Sequence, residues 1–203
     1  MEIAEIRPGV KLPERQGRVE TMKTVLKSVI GLLVALVVVI AGGAYLIPPM
    51  ASVERTALIQ APPDKVFAIV ANLRRFNEWS PWSGLDPKAV YTFTGPEQGM
   101  GQKMSWASAD PNVGDGAMTY LGVTANESIE VELDFGEMGK SLSVWRFSPA
   151  DGGGTAVTWG FRSEVNGVME RWMSLMFDRW IGADYAKGLA NLKALAEKEA
   201  AGG

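Results

Sequence analysis

The 203-residue chain has no histidine and no cysteine. The first absence removes the side chain most used as a base near neutral pH, and with it the usual Ser–His and Cys–His nucleophiles. The second excludes disulfides and thiolate sites. Together they exclude the common zinc and haem ligand sets. Any acid–base chemistry would fall to carboxylates, Lys, Tyr, Ser or Thr. A basic excess is missing too: 20 Lys and Arg face 23 Asp and Glu, for a net charge of −3. That balance argues against a nucleic-acid partner, which needs a strong positive patch. No cofactor and no metal are expected.

What the chain does have is a long apolar run. Ser28 to Ile47, SVIGLLVALVVVIAGGAYLI, carries no charge and no proline. About twenty such residues make a helix long enough to cross the hydrocarbon of a bilayer. Lys23 and Lys27 precede it and Pro48-Pro49 end it. The reading divides the chain into a disordered cytoplasmic tail (1–24), a transmembrane helix (25–47), a linker (48–52), a soluble domain (53–198) and a short disordered tail (199–203). Arg7, Lys11, Arg15, Arg18, Lys23 and Lys27 lie before the span, and only Arg55 and Lys65 follow closely. This bias puts the N-terminus in the cytoplasm and the domain outside. A cleaved signal peptide, cut after Ala44, is the rival reading. Met22 also opens a basic-then-apolar segment, so the true start lies at Met1 or Met22.

Ser52–Gln60 reads as a strand. Pro62-Pro63-Asp64 then opens an amphipathic helix, DKVFAIVANL, from Asp64 to Leu73. The aromatic-rich RRFNEWSPWS of residues 74–83 reads as a turn. Six further β-like runs follow, at residues 89–94, 102–108, 116–123, 128–135, 141–148 and 155–164. Gly, Pro, Asn and Asp punctuate them, as in an antiparallel meander. In the run at 128–135, Ile129, Val131, Leu133 and Phe135 alternate with Glu130, Glu132 and Asp134, giving one dry and one wet face. The spacing predicts a single long helix from Gly167 to Lys198, with Met169, Trp172, Met173, Met176, Phe177 and Trp180 on its apolar stripe.

A strand, a helix, six strands and a long C-terminal helix follow the helix-grip order. Ala61-Pro62-Pro63-Asp64-Lys65-Val66-Phe67, Phe76-Asn77-Glu78-Trp79-Ser80-Pro81-Trp82, Gly154–Trp159 and Ile181–Leu189 strengthen the likeness. From about Ser52 to Ala196 the chain resembles the polyketide cyclase/dehydrase-like branch of the START and birch-pollen-allergen (SRPBCC) superfamily. The resemblance implies an α+β helix-grip fold: a seven-stranded antiparallel sheet wrapped round a long C-terminal helix, preceded here by one transmembrane helix. It also implies a cavity between sheet and helix that takes apolar small molecules or lipids. Fold alone does not give function.

The ligand-cavity candidates are Met104, Trp106, Met118, Tyr120, Phe135, Trp145, Trp159 and Phe161 on strands, with Met173, Phe177 and Trp180 facing them from the helix. Aromatic and Met side chains suit such a wall, but the same residues suit plain core. Trp79 and Trp82 join the set as a mouth-side clamp or as corner plugs. Ser80 lacks a base and a Gly-x-Ser-x-Gly elbow, so it is not read as a nucleophile. Glu78, Arg146, Glu164, Asp178 and Tyr185 are the polar groups near apolar stretches. One of them would have to serve as acid or base in a cyclase or dehydratase. The favoured reading is a membrane-anchored domain that binds a hydrophobic small molecule or lipid without chemistry. The alternative is a cyclase or dehydratase acting on an aromatic or polyketide-like substrate.

Overall fold

The computed structural model describes residues 15–202. They fall into two compact units that divide between Leu46 and Ile47. The first is one helix, α1 (Arg15–Ala44). Its segment Thr21–Ala44 is long and apolar enough to cross a membrane, a property that signal sequences near an N-terminus share. The large apolar side chains from Met22 to Ile40 are exposed, as expected of a helix with no polar face. The helix begins ten residues ahead of the span expected from residue 25, so the 15–24 part of the expected disordered tail is helical. Residues 1–14, the rest of that tail, lie outside the described residues.

The second unit opens with β1 (Met50–Ile59), followed by α2 (Pro63–Val70). Pro63 stands in the first turn of α2, where its missing N–H costs nothing. Val66, Ile69 and Val70 form the buried face. The aromatic segment expected as a turn contains a short helix of its own, α3 (Phe76–Trp79). Then come β2 (Val90–Thr94), β3 (Lys103–Ala107), β4 (Gly116–Thr124), β5 (Ser128–Asp134), β6 (Lys140–Ala150) and β7 (Gly154–Glu164). They form one seven-stranded antiparallel sheet in the order β1-β7-β6-β5-β4-β3-β2. The first strand therefore lies beside the last. Along β5, Ile129 and Val131 are buried and Glu130 is exposed, as the alternation requires.

The chain ends in α4 (Val168–Ser174) and α5 (Phe177–Gly202). The single helix expected over 167–198 is broken at Leu175–Met176, although neither proline nor glycine marks the spot. The break reorients the apolar stripe. Met173 and Trp180, expected to face the sheet, are 47% and 51% exposed. Only from Phe177 and Tyr185 onward does the stripe turn inward, with Leu189, Leu192 and Ala196 fully buried.

Candidate functional site

The concave side of the sheet carries two different interiors. Beneath α5 it is filled by stacked rings. Trp145 on β6 stacks on Trp159 of β7 at 4.4 Å between centroids, and Trp159 stacks on Tyr185 of α5 at 3.8 Å. Trp79 of α3 meets Trp145 and Trp159 edge-on at 5.4 and 5.7 Å. Trp159 donates its indole N–H to Ser143 Oγ at 2.9 Å, which satisfies the buried polar handle. Gly188 allows this contact. A Cβ there would lie 2.7 Å from the Trp159 ring and 3.0 Å from Pro81. Phe161 of β7 and Phe177 of α5 meet each other edge-to-face at 5.9 Å.

Toward β2–β5 the interior is hollow. A pocket of about 220 Å³ lies between the α3 segment and those strands, with walls that include Trp82, Tyr91, Met104, Trp106, Leu133 and Phe135. Its polar lining comes from Asn77, Ser80 and Asn112. Trp106 lies over Gly116 of β4, where any Cβ would overlap the indole, and meets Phe135 edge-on at 6.2 Å. A smaller chamber of about 40 Å³ adjoins this pocket through shared walls at Phe76, Trp82, Met118 and Leu133. Trp79, Tyr120, Ser143, Trp145, Trp159 and Tyr185 line its inner end. That is room for about one water molecule. The Trp79 indole N–H is buried with no hydrogen-bond partner among the described residues.

The α3 segment that roofs both spaces is tied down. Trp82 Nε1 donates to Asp184 Oδ2 at 3.0 Å, and Asn191 Nδ2 donates to the Trp79 carbonyl at 3.1 Å. Ser80 is buried, and its hydroxyl accepts from the Trp82 backbone N–H, a turn-fixing role. Gln102 is a further buried clamp. It accepts from Leu73 N and donates to the Glu97 carbonyl, so it holds the chain before α3 to the loop before β3.

Of the sequence-predicted cavity residues, Trp82, Met104, Trp106, Met118 and Phe135 line the larger pocket. Trp79, Tyr120, Trp145 and Trp159 line the small chamber. Phe161, Met173 and Phe177 line neither. Phe161 and Phe177 pack on each other, and Met173 lies beyond the helix break. Phe76, Leu85, Tyr91, Val113 and Leu133 are wall residues that the sequence reading did not place in the cavity. The inward phase of Leu133 on β5 was a usable signal for one of them.

The polar candidates stand elsewhere. Glu78 pairs with Arg75 at 2.7 Å on the surface. Asp178 pairs with Arg55 at 2.9 Å, and that hydrogen bond holds its carboxyl below the ordinary range. Arg146 bonds Glu54 at 3.1 Å on the outer face, and Glu164 is exposed at the end of β7. Tyr185 alone reaches a cavity. Burial raises its phenol well above the usual value, against a smaller lowering by the hydrogen bond with Ser143. Tyr120, which donates to the Val70 carbonyl, is raised by burial as well. Both hydroxyls stay protonated at neutral pH, so they can donate hydrogen bonds but are poor bases.

Residues 50–197 match the family described as polyketide cyclase / dehydrase and lipid transport, and the chain belongs to that family. Among curated proteins none matches. Solved structures share the fold at low identity. A Staphylococcus aureus protein of unknown function, SA2116, superposes with a TM-score of 0.58 at 12% identity, over 74% of this chain and 95% of its own. The di-domain ARO/CYC StfQ from the steffimycin biosynthetic pathway does so at 0.56 and 13%, over 75% of this chain and 52% of its own. Ara h 8.0201 does so at 0.51 and 12%, over 72% of this chain and 97% of its own.

Proposed function

We propose that this protein is a membrane-anchored binding module whose ligand is a small hydrophobic molecule with one hydrogen-bond acceptor. The observation that carries the reading is the hollow half of the sheet. Its walls are chiefly aromatic and apolar side chains, no carboxylate or Lys lines it among the described residues, and Trp79, a wall residue of the adjoining chamber, has a buried indole N–H with no partner among the described residues. Pockets of this type hold a ligand by burial and orient it by a few polar groups. A space of about 220 Å³ exceeds the roughly 150 Å³ cavity that takes benzene and falls short of the roughly 300–1,000 Å³ of drug-sized sites. The occupant is therefore a one- or two-ring aromatic or a short acyl segment, entering with its acceptor toward Trp79. The protonated phenol of Tyr185 offers a second donor. Family membership and the ligand-binding character of the fold support this reading, as does the position of the acid–base candidates Glu78 and Asp178 in surface ion pairs.

The anchor in this reading is the Thr21–Ala44 helix, with the N-terminus in the cytoplasm and the domain outside, because the Lys and Arg bias lies before the span. A reporter active only outside the cytoplasm, fused after Gly203, should be active.

The binding test is thermal unfolding and Trp fluorescence against a panel of one- and two-ring aromatic ketones, short-chain fatty acids and intact phospholipids. Small acceptor-bearing members should raise the melting temperature with concentration. Leu133→Trp, which fills the wall shared by both spaces, should abolish that shift while the protein remains folded. If no member shifts the wild type, the binding reading fails. If a member is converted, and Tyr185→Phe stops conversion without stopping binding, a catalytic reading replaces it.

A further inference from the structure

The apolar stripe that the helix break turns outward has a position that says what covers it. Met169, Trp172, Met173 and Met176 recur at i, i+3, i+4 and i+7, and Leu175 and Trp180 extend the same segment. Met169 is 71% exposed, Leu175 58% and Trp180 51%. Three of the segment's four charged side chains are tied to the rest of the domain, and the fourth, Arg179, is exposed beside the stripe. Glu170 accepts from the backbone N–H groups of Asn166 and Gly167, both at 3.0 Å. Arg171 donates to the Val165 carbonyl at 3.1 Å and, through Nη1, to the Ile47 carbonyl at 3.1 Å. Asp178 bonds Arg55. A helix of a water-soluble domain normally turns its apolar side inward. A contiguous exposed apolar patch marks a surface that meets something.

Ile47 identifies the occupant. It lies three residues after Ala44, the last residue of the apolar span. Three residues of chain reach about 10 Å at most. Arg171 therefore ties α4 to a point that the chain itself holds within about 10 Å of the end of the span. Pro49 reinforces the tie, since its carbonyl accepts from Val165 N at 2.8 Å. A Trp- and Met-rich face tethered this closely to the span suits the interfacial zone of a bilayer, where Trp rings are enriched.

We infer that the outward face of α4 and the first turn of α5 lies on the lipid surface, seating the domain on the bilayer that its span crosses. This inference rests on the anchor reading above. It makes α4 an interfacial helix held in place by the domain, with its apolar side in the headgroup zone.

The absence of cysteine makes the test direct. Met173→Cys and, as a control on the turn between β5 and β6, Met138→Cys each give a full-length chain with one thiol for a spin label; Met138 is 83% exposed. Each chain is reconstituted into phosphatidylcholine/phosphatidylglycerol vesicles. Flotation and resistance to alkaline extraction report the anchor. Collision of the label with a water-soluble nickel chelate and with oxygen reports the docking. In vesicles, nickel accessibility at position 173 should fall several-fold below that at position 138, and oxygen accessibility should rise. If the chain floats and resists extraction but both positions see nickel equally, docking is overturned while the anchor stands. If the chain neither floats nor resists extraction, the anchor and the docking fall together. If nickel accessibility at position 173 falls in vesicles but oxygen accessibility falls with it, the face is covered by a second copy or by the domain itself, and docking is overturned.

Discussion

The two halves of the sheet's concave side are built from the same kinds of residue and do opposite things. On β6 and β7, Trp145 and Trp159 lie flat on one another and on Tyr185, and α5 presses down at Gly188. Trp106 on β3 and Phe135 just past the end of β5 meet edge-on and stand around a space that α3 roofs but does not fill. Parallel stacking under a helix consumes volume, whereas edge-on rings at a rim enclose it. Aromatic content therefore does not by itself mark a ligand site. What distinguishes the halves is how closely the covering element approaches the rings.

Cutting one ring from each half breaks or sharpens this comparison most strongly. Trp159→Ala should destabilise the domain by about 3–5 kcal/mol in denaturant unfolding, since it removes the centre of a buried stack. Trp106→Ala, at a half-buried rim, should cost nearer to about 1 kcal/mol and widen the set of ligands accepted. Equal costs would erase the distinction between filled and hollow halves.

Adding atoms probes the hollow half from the other side. Gly116→Ala places a methyl where the Trp106 ring now lies. The ring must swing, at about 1–3 kcal/mol. Thermal shifts should then show weaker binding of the small aromatic ligands, while the Trp159–Tyr185 stack keeps its near-UV circular dichroism.

A smaller effect comes from acid. Ion pairs hold α5 at both ends, Arg55 with Asp178 at its start and Arg75 with Glu199 near its close. Asp178 is lowered from its usual 3.8 by Arg55, and Glu199 from its usual 4.5 by Arg75. Groups with depressed folded values add stability above their unfolded values and lose it as pH falls through the lower folded ones. Stability should thus decline as pH falls from about 5 to about 3. Asp178→Asn combined with Glu199→Gln should flatten that decline in melts across pH. Both carboxylates face solvent, so the difference should be modest. Smallest of all, Leu58→Ser on the exposed outer side of β1 should change stability by no more than about 0.5 kcal/mol.

Much of this was legible in the sequence. The seven strands follow period-2 patterning and turn residues, and β5 shows both faces in one reading of Ile129, Glu130 and Val131. The apolar span needs nothing but length and the absence of charge. The helix break at Leu175–Met176 was not legible. No residue there forbids a helix, and the interruption is a tertiary fact that the 3.6-residue period of Met169, Met173 and Met176 conceals. Periodicity names a face but not what the face meets, so Met173 and Trp180 were placed inward. The division between stack and pocket was hidden for a related reason. Trp159 and Trp106 are equivalent in pattern, and only Gly188 and Gly116, read against their spatial neighbours, tell them apart.

The sheet order carries a last consequence, in time rather than in space. Met50 pairs with Glu164 and Ile59 with Thr155, so the first strand made is completed by the last. Contacts this distant in sequence slow folding, because the intervening chain must be closed before they form. A nascent domain emerging behind its apolar helix would present β1 as an open edge until β7 is synthesised, and such edges invite pairing with other chains. Chains halted before Gly154 should therefore leave the β1 amides open to hydrogen exchange, and release past Glu164 should close them together.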